Sequence, residues 1–183
     1  AWALMMMLAF PSSPASGAPK GEQRVAVVEL ENNSKLSMGV VSALTDIVRG
    51  EVAELLKARF TMITKENIYE LVDEQTCNEA TGASCEVEMG RKLGAHYLIS
   101  GSVTQLGKKL NLALKVHHTR SSKLLGVREE SALSLDQLKE RVLPRVSRGA
   151  SSLIDPEVAS RTDTLNAELE ALKREVGVKA SDE

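Results

Sequence analysis

The residues that could do chemistry in this 183-residue chain are, first, two cysteines, Cys77 and Cys85. Seven residues separate them, including Gly82, which lets a short loop fold back. A disulfide across this loop would stabilise the fold by about 2–3 kcal/mol in the chain-entropy model. Free buried thiols and a metal or redox pair remain alternatives. The spacing favours the disulfide, because it is not C-x-x-C and no second cysteine pair is present to complete a zinc site.

Two adjacent histidines, His117 and His118, form the next candidate pair. They follow the alternating run that begins at Leu110, which is typical of a half-buried strand. Neighbouring residues of a strand point to opposite faces, so the two imidazoles should diverge. His117 then shares the face of Lys115, and we expect a structural role for both histidines.

No catalytic set is visible in the sequence. Neither a G-x-S-x-G elbow nor a glycine-rich phosphate loop occurs, and Ser100-Gly101-Ser102 lies inside an apolar strand pattern. The carboxylates are spread over helix surfaces, where we expect solvated charges. The sequence therefore predicts no catalytic residue, no cofactor and no metal ion, and a hydrolase with an unrecognised site is an alternative.

Composition and charge exclude further classes of function. Hydrophobic residues make up 43% of the chain and charged residues 26%, which is ordinary for a globular domain. The net charge is −2 and the pI about 6.0, so binding of nucleic acid through phosphate neutralisation is not expected. Aromatic residues reach only 3%, which argues against base stacking.

The first residues are typical of an exported protein. Residues 1–10 are continuously apolar but too few to span a bilayer, and a small-residue linker with a plausible cleavage point before Ala18 follows. We interpret residues 1–21 as a signal-peptide remnant and linker. The alternative is an apolar element of the fold itself, in which case the chain would be a cytoplasmic regulator.

Hydrophobic periodicity predicts the elements of the fold. Strands are expected at 24–30, 60–64, 96–106, 110–117 and 124–130, and helices at 37–59, 65–75, 86–93, 134–154 and after Pro156. Residues 31–34 (ENNS) are predicted to form a turn, Gly50 to allow close packing on the sheet, Gly94 to end a helix, and Pro144 to kink or divide the fourth helix.

These elements predict an α/β fold in which helices flank a mixed sheet with an antiparallel C-terminal meander. We assign residues 22–154 to this domain and residues 155–183 to a helical tail. The tail carries an apolar stripe at four-three-four spacing, Leu165, Leu169, Leu172 and Val176. The stripe is either the solvated side of a fraying helix or a surface that binds a partner.

Three segments resemble the TolB N-terminal-domain-like, CsgG–LpoB-like periplasmic α/β family. They are RVAVVEL from Arg24, LLKARFTMITKENIYELVDEQ from Leu55, and MGRKLGAHYLISGSVTQLGKKLNLALKVHHTRSSKLLGV from Met89. The resemblance covers about residues 24–154. It implies a scaffold that acts in secretion, envelope assembly or regulation through protein contacts. The chain departs from some members, because it lacks a lipobox cysteine and membrane hairpins, and no functional residue can be carried over.

The predicted function is therefore a non-catalytic protein-interaction module of the bacterial cell envelope. Its partners would be other envelope proteins or a second copy of the chain. Its contact with the outer membrane would be peripheral at most, and an exposed sheet edge and the tail stripe are the expected surfaces. The alternative is a periplasmic protein that binds a small molecule or a peptidoglycan fragment near residues 31–34 and 77–85. A deep pocket with convergent polar groups there would favour it.

Overall fold

The structure of the chain, a computed structural model, describes residues 23–72 and 83–181. The predicted signal peptide and linker, residues 1–21, lie outside the described residues, and so does Cys77. Among the residues that are described, no helix has both the length and the hydropathy needed to cross a membrane.

The described residues form one mixed sheet with helices on its faces. The strands are β1 (Gln23–Val27), β2 (Glu31–Asn33), β3 (Phe60–Met62), β4 (Tyr97–Leu106), β5 (Lys109–His118) and β6 (Lys123–Ala132). Their order is β3-β1-β4-β5-β6, with β2 beside β4. β1 runs parallel to β3 and β4, whereas β4, β5 and β6 form an antiparallel meander. The predicted α/β fold with a mixed sheet is confirmed.

The helices also follow the predicted order. They are α1 (Met38–Leu56), α2 (Lys65–Leu71), α3 (Ala83–Lys92), α4 (Leu135–Gln137), α5 (Leu143–Ile154) and α6 (Glu157–Ser181), with a π-helical segment at Leu138–Val142 between α4 and α5. Gly94 has a φ of +61° and follows α3, as the helix-ending prediction requires.

The polar stretch after β1 is a strand, so the predicted turn at residues 31–34 is wrong for its first three residues. At Leu30 the chain leaves the sheet, since the N–H of Leu30 donates to Thr45 Oγ1 of α1 at 3.2 Å instead of to a neighbouring strand. It then rejoins, with Glu31 opposite Ser102 of β4. Exposed polar residues of a short strand resemble a turn in sequence, because only the pairing partner distinguishes them.

One face of the sheet is covered by α1 and α5. Ser37 caps α1, and its Oγ accepts a hydrogen bond from the N–H of Val40 at 3.4 Å. The buried side of α1 recurs at three and four residues: Val41, Leu44, Thr45, Val48, Val52 and Leu56. Gly50 is exposed, and a Cβ there would meet nothing within 4 Å. The expectation that Gly50 allows close packing on the sheet is therefore wrong.

The opposite face is covered in part by α2 and α3. A second, smaller core forms there from Ala26, Val28, Ile68, Leu93, Ala95 and Leu98. These six side chains come from β1, the segment after it, α2, the end of α3 and β4. They anchor the two helices over one half of the sheet, and the candidate site lies beside them.

Among the last three helices, α4 and α6 each begin at a side-chain cap. Ser134 Oγ accepts from the N–H of Gln137 at 3.1 Å and starts α4. Pro144 lies in the first turn of α5, directly after the π-helical segment, and so divides the predicted helix as expected. Asp155 Oδ1 accepts from the N–H of Glu157 at 3.1 Å and starts α6, whose 25 residues span about 37 Å.

Candidate functional site

A cavity of about 510 Å³ lies on the face of the sheet that α2 and α3 cover. This volume is within the usual range for small-molecule sites. The lining combines apolar and polar residues and consists of Val28, Glu29, Glu31, Arg49, Ile68, Tyr69, Val72, Cys85, Glu86, Met89, Ser100, Gly101 and Lys115. Both regions named for the alternative function, residues 31–34 and 77–85, contribute to it through Glu31 and Cys85.

The register of the sheet brings the polar side chains of the floor together. Ser100 of β4 lies directly opposite Lys115 of β5, so their side chains stand on the same face. His117 follows two residues along β5 and shares that face, as the alternation predicted. Glu86, in the first turn of α3, extends over the strands from above.

The carboxylate of Glu86 collects these three groups. Ser100 Oγ donates to Glu86 Oε1 at 2.5 Å, and Lys115 Nζ lies 3.4 Å from the same oxygen. His117 Nε2 lies 2.9 Å from Glu86 Oε2. Burial opposes ionisation, but the contact of His117 Nε2 with Glu86 Oε2, the hydrogen bond from Ser100 and the nearby charge of Lys115 outweigh it. They lower the pKa of Glu86 from 4.5 to about 2.

The order of these contacts differs from that of a nucleophile, base and orienting acid. In such a triad the histidine lies between the hydroxyl and the carboxylate. Here the carboxylate lies between Ser100 and His117, and a carboxylate with a pKa of about 2 is a weak base. His117 is 1% exposed, and neither of its ring nitrogens has a well-aligned hydrogen bond among the described residues. The arrangement ties α3 to the sheet and leaves the Ser100 hydroxyl committed to Glu86.

A second polar group borders the cavity at α1. Arg49 donates through Nε to the carbonyl of Val27 at 3.0 Å and through Nη2 to Glu29 Oε2 at 3.3 Å. Tyr69 donates its hydroxyl to the same Glu29 oxygen at 3.1 Å. Arg49 Nη1 also contacts Asp46 at 2.7 Å. This network fixes α1 and α2 at the rim and occupies three of the five N–H donors of Arg49.

Two charged side chains that line the cavity have hydrogen-bonding atoms available for a ligand. No described residue forms a hydrogen bond or an ion pair with the Glu31 carboxylate. Lys115 is 44% exposed and has one carboxylate neighbour, Glu86, for its three donors. A carboxylate and an ammonium therefore face the cavity with atoms available to a ligand.

The predicted disulfide stays a prediction. Cys85 lies in the first half of α3 and lines the cavity, whereas Cys77 lies outside the described residues.

The predicted partner stripe is on the surface. Leu165, Leu169 and Leu172 are 64%, 49% and 58% exposed. Val176 lies on the same helix by its position in α6, although its side chain lies outside the description. The structure thus brings the predicted stripe onto one accessible helix, far along the chain from the cavity residues.

Strand β6 forms one exposed edge of the sheet, and β3 lies at the other end of the strand order. Strand β6 pairs with β5 on one side and with no described strand on the other. Leu124, Leu125 and Val127 are exposed along it. A register shift opposite Val116 and His117, together with the charged side chains of β6, limits unspecific pairing at this edge.

The residues that build the cavity were not predicted from the sequence. The expectation that carboxylates are solvated is wrong for Glu86, which is buried against the sheet, and for Asp155. Glu86 and Met89 both face the cavity, three residues apart on α3. A carboxylate at helical spacing from apolar side chains, on the side that faces the core, is a signal that could have identified Glu86.

No protein-family model matches the sequence, and no curated protein matches it either. Similar solved structures include the LpoB C-terminal domain from Salmonella enterica, at 14% identity over 61% of this chain and 83% of that one, with a TM-score of 0.48. The lipoprotein GNA1162 from Neisseria meningitidis is 13% identical over 72% and 95%, with a TM-score of 0.45. TolB from Acinetobacter baumannii is 16% identical over 75% and 28%, with a TM-score of 0.41. Such identities concern the fold alone, so function is argued from the residues of this chain.

Proposed function

We propose that this chain is a non-catalytic protein-interaction module of the bacterial cell envelope, exported to the periplasm or the inner side of the outer membrane. The observation that carries the proposal is the leucine stripe on α6, whose three described leucines are each at least 49% exposed. An isolated helix is only marginally stable in water, since most helices gain their stability by packing an apolar face. We therefore expect a second surface to pack against the stripe and to stabilise α6.

The occupant we assign to the stripe is an amphipathic helix of a partner envelope protein. Four-three-four spacing presents a narrow apolar seam of the kind that helices pack against in pairs. The seam extends toward the base of α6, where Val158, seven residues before Leu165, is already buried against the fold. A helix docked on the stripe would thus continue an apolar surface that the domain itself begins.

Two further observations support the non-catalytic part of the proposal. The Ser100 hydroxyl donates to a strongly acidic carboxylate, which does not raise its nucleophilicity. Glu86 and His117 contact each other and hold α3 against β5. The envelope location is supported by the predicted export segment and the sequence resemblance, and edge strand β6 offers a second docking surface through strand addition.

The proposal is tested with charges placed on and off the stripe. Leu165→Glu with Leu172→Glu interrupts the seam, and Ala167→Glu with Ala171→Glu adds the same charge on the opposite side of α6. The full chain and both double variants are cross-linked in the native envelope, isolated by affinity and identified by mass spectrometry. Light scattering of the purified proteins gives their mass in solution.

We expect one or more envelope proteins to be captured by the parent chain and the control but lost from the stripe variant. If the stripe variant loses a dimer in solution but still captures the same proteins, the occupant of the stripe is a second copy of this chain and not a partner helix. Identical capture and identical mass for all three proteins would overturn the proposal.

A second candidate function is binding of a small molecule. The observation that favours it is the cavity, which joins an apolar wall to convergent polar groups and a carboxylate of strongly lowered pKa. Isothermal titration of the full chain with small ligands that carry both charged and apolar groups tests it.

A further inference from the structure

We infer that the cavity binds a dipeptide-sized ligand with a free amino group, a free carboxylate and apolar side chains. This inference rests on the second candidate function, the binding of a small molecule. It uses the opposite charges of Glu31 and Lys115, their separation across the floor, and the apolar wall between α2 and α3.

The two charges stand on one face of the sheet and on either side of β4. Glu31 lies opposite Ser102, and Lys115 lies opposite Ser100, two residues earlier on β4. Residues opposite each other share a face, as do residues two apart on a strand. The two side chains therefore rise from the same floor toward the cavity that both line.

Strand geometry gives the distance between the two charged positions. Neighbouring strands lie about 4.8 Å apart and residues rise about 3.4 Å, so the Cα atoms of Glu31 and Lys115 are about 12 Å apart. An extended dipeptide spans about 7 Å. A hydrogen bond of about 2.9 Å at each end brings the span to about 13 Å. With both side chains standing perpendicular to the sheet, the separation of the carboxylate and the ammonium matches that of a dipeptide bound at both ends.

The chemistry of the two ends fixes the orientation of the ligand. Lys115 has ammonium donors beyond its contact with Glu86, and these suit the ligand carboxylate. Glu31 has no described partner and accepts from the ligand ammonium group. The other lining cation, Arg49, has three of its five donors on Glu29, Asp46 and a backbone carbonyl, and its side chain is 13% exposed against 44% for Lys115. Lys115 is therefore the more accessible partner for the carboxylate.

The apolar wall gives the ligand its side chains. Val28, beside the sheet, and Ile68, Val72 and Met89, from the helices and the end of α2, line the cavity together with the two charged residues. Val28 and Ile68 belong to the second core and are nearly inaccessible, whereas Met89 has a flexible thioether that adapts to irregular shapes. A ligand with aliphatic side chains buries them against this wall while its ends bind the two charges.

The test is isothermal titration of the full chain with leucyl-leucine, N-acetyl-leucyl-leucine and leucyl-leucinamide. Acetylation removes the ammonium group, and amidation removes the carboxylate. We expect the free dipeptide to bind and each capped form to bind at least about tenfold more weakly, because a charge-assisted hydrogen bond is lost. Leucine and trileucine serve as length controls and should bind more weakly too.

Variants assign each end to its residue. Glu31→Gln should weaken binding of the free dipeptide and abolish the difference between it and the acetylated form. Lys115→Met should do the same for the amide. The matched controls are Glu51→Gln on α1 and Lys109→Met on β5, neither of which lines the cavity, and both should leave binding unchanged.

The outcomes distinguish failure of the dipeptide proposal from failure of small-molecule binding as a whole. Capped dipeptides that bind as tightly as the free one, with amide shifts at Val28 and Met89 in a two-dimensional NMR spectrum, would reject the recognition of the two ends and keep the cavity as a binding site. No heat and no amide shifts for any of the five ligands at millimolar concentration would reject both the dipeptide and the second candidate function.

Discussion

His117 Nε2 lies 2.9 Å from Glu86 Oε2, and this contact joins β5 to α3 beneath the cavity. His117 is 1% exposed, and the carboxylate also accepts from Ser100 on the neighbouring strand. A single side chain of α3 thus binds two strands of the sheet. Because Cys85, Glu86 and Met89 of α3 line the cavity, the position of this helix determines the shape of the cavity wall.

Replacing Glu86 by Gln should destabilise the fold in a pH-dependent way. The pKa of Glu86 is about 2 when folded, below its ordinary value of 4.5. Its contribution to stability is therefore present above pH 4.5 and is lost as the pH falls toward 2. At about 1.4 kcal/mol per pKa unit, the loss in Glu86→Gln at pH 7 is on the order of 3 kcal/mol.

The measurement is urea unfolding of the parent chain and Glu86→Gln between pH 7 and pH 2.5. The difference in unfolding free energy should shrink steadily below pH 4.5. Glu88→Gln is the matched control, because Glu88 lies on the same helix, is half exposed and pairs with Arg91 at the surface. It should change stability by less than about 1 kcal/mol. A pH-independent difference for Glu86→Gln would contradict the electrostatic account.

The predicted Cys77–Cys85 disulfide can be tested by alkylation and intact mass. Protein isolated from the native envelope should take up no label before reduction and two labels after it, one for each cysteine of the chain. Reduction should lower the unfolding free energy by about 2–3 kcal/mol. Two labels without reduction would show free thiols and would favour the cytoplasmic alternative for the chain.

The elements of the fold could be predicted because each carries a local signal. The recurrence of Leu44, Val48 and Val52 identifies α1, and Ser37 identifies its start. The cavity could not be predicted in this way, because its contacts join distant residues. Glu86 reaches Ser100 and Lys115 across 14 and 29 residues of sequence, and only the register of β4 with β5 brings the two together.

The same limit explains the errors at Glu31 and Gly50. Glu31 belongs to a strand because Ser102 pairs with it, which no local pattern reveals. Gly50 lies on the exposed side of α1, and a glycine within an apolar pattern does not by itself indicate which side faces the sheet. The residue that decides the structure at Glu31 is Ser102, which is distant in the sequence. At Gly50 the deciding observation is that, apart from its chain neighbours and the backbone of α1, no described atom lies within 4 Å of the position a Cβ would take.

Gly101 and Gly50 should respond in opposite directions to substitution by Ala. A Cβ at Gly101 would lie 2.2 Å from the carbonyl oxygen of Ala113 and 2.9 Å from Leu30. Because a backbone atom cannot move cheaply, Gly101→Ala should cost about 3 kcal/mol or more. A Cβ at Gly50 meets nothing within 4 Å, so Gly50→Ala should add about 1 kcal/mol through helix propensity.

Thermal and urea unfolding of both glycine variants show directly whether each substitution raises or lowers the free energy of unfolding. A stabilising Gly101→Ala would mean that β4 and β5 approach less closely than the contact indicates. A destabilising Gly50→Ala would place that side of α1 against another surface, which would then be a second candidate for partner binding.

Asp155 should control whether α6 is held rigidly on the domain. Its Oδ1 accepts from the N–H of Glu157 and lies 3.0 Å from Arg59 Nη1, so one buried carboxylate both caps α6 and binds the end of α1. Asp155→Ala removes the cap and leaves Arg59 with only Glu157, which should cost about 1–2 kcal/mol. Asp163→Ala, on an exposed turn of α6, is the control and should be nearly neutral.

Hydrogen exchange distinguishes a local effect at α6 from a general loss of stability. In Asp155→Ala, amides of the first turns of α6 should exchange faster relative to those of β4, because the helix start has lost its acceptor. Binding of the partner at the leucine stripe should weaken in the same variant, since Leu165 lies only three turns beyond the cap. Unchanged partner capture by Asp155→Ala would mean that the stripe binds as a free helix, independent of the domain to which it is attached.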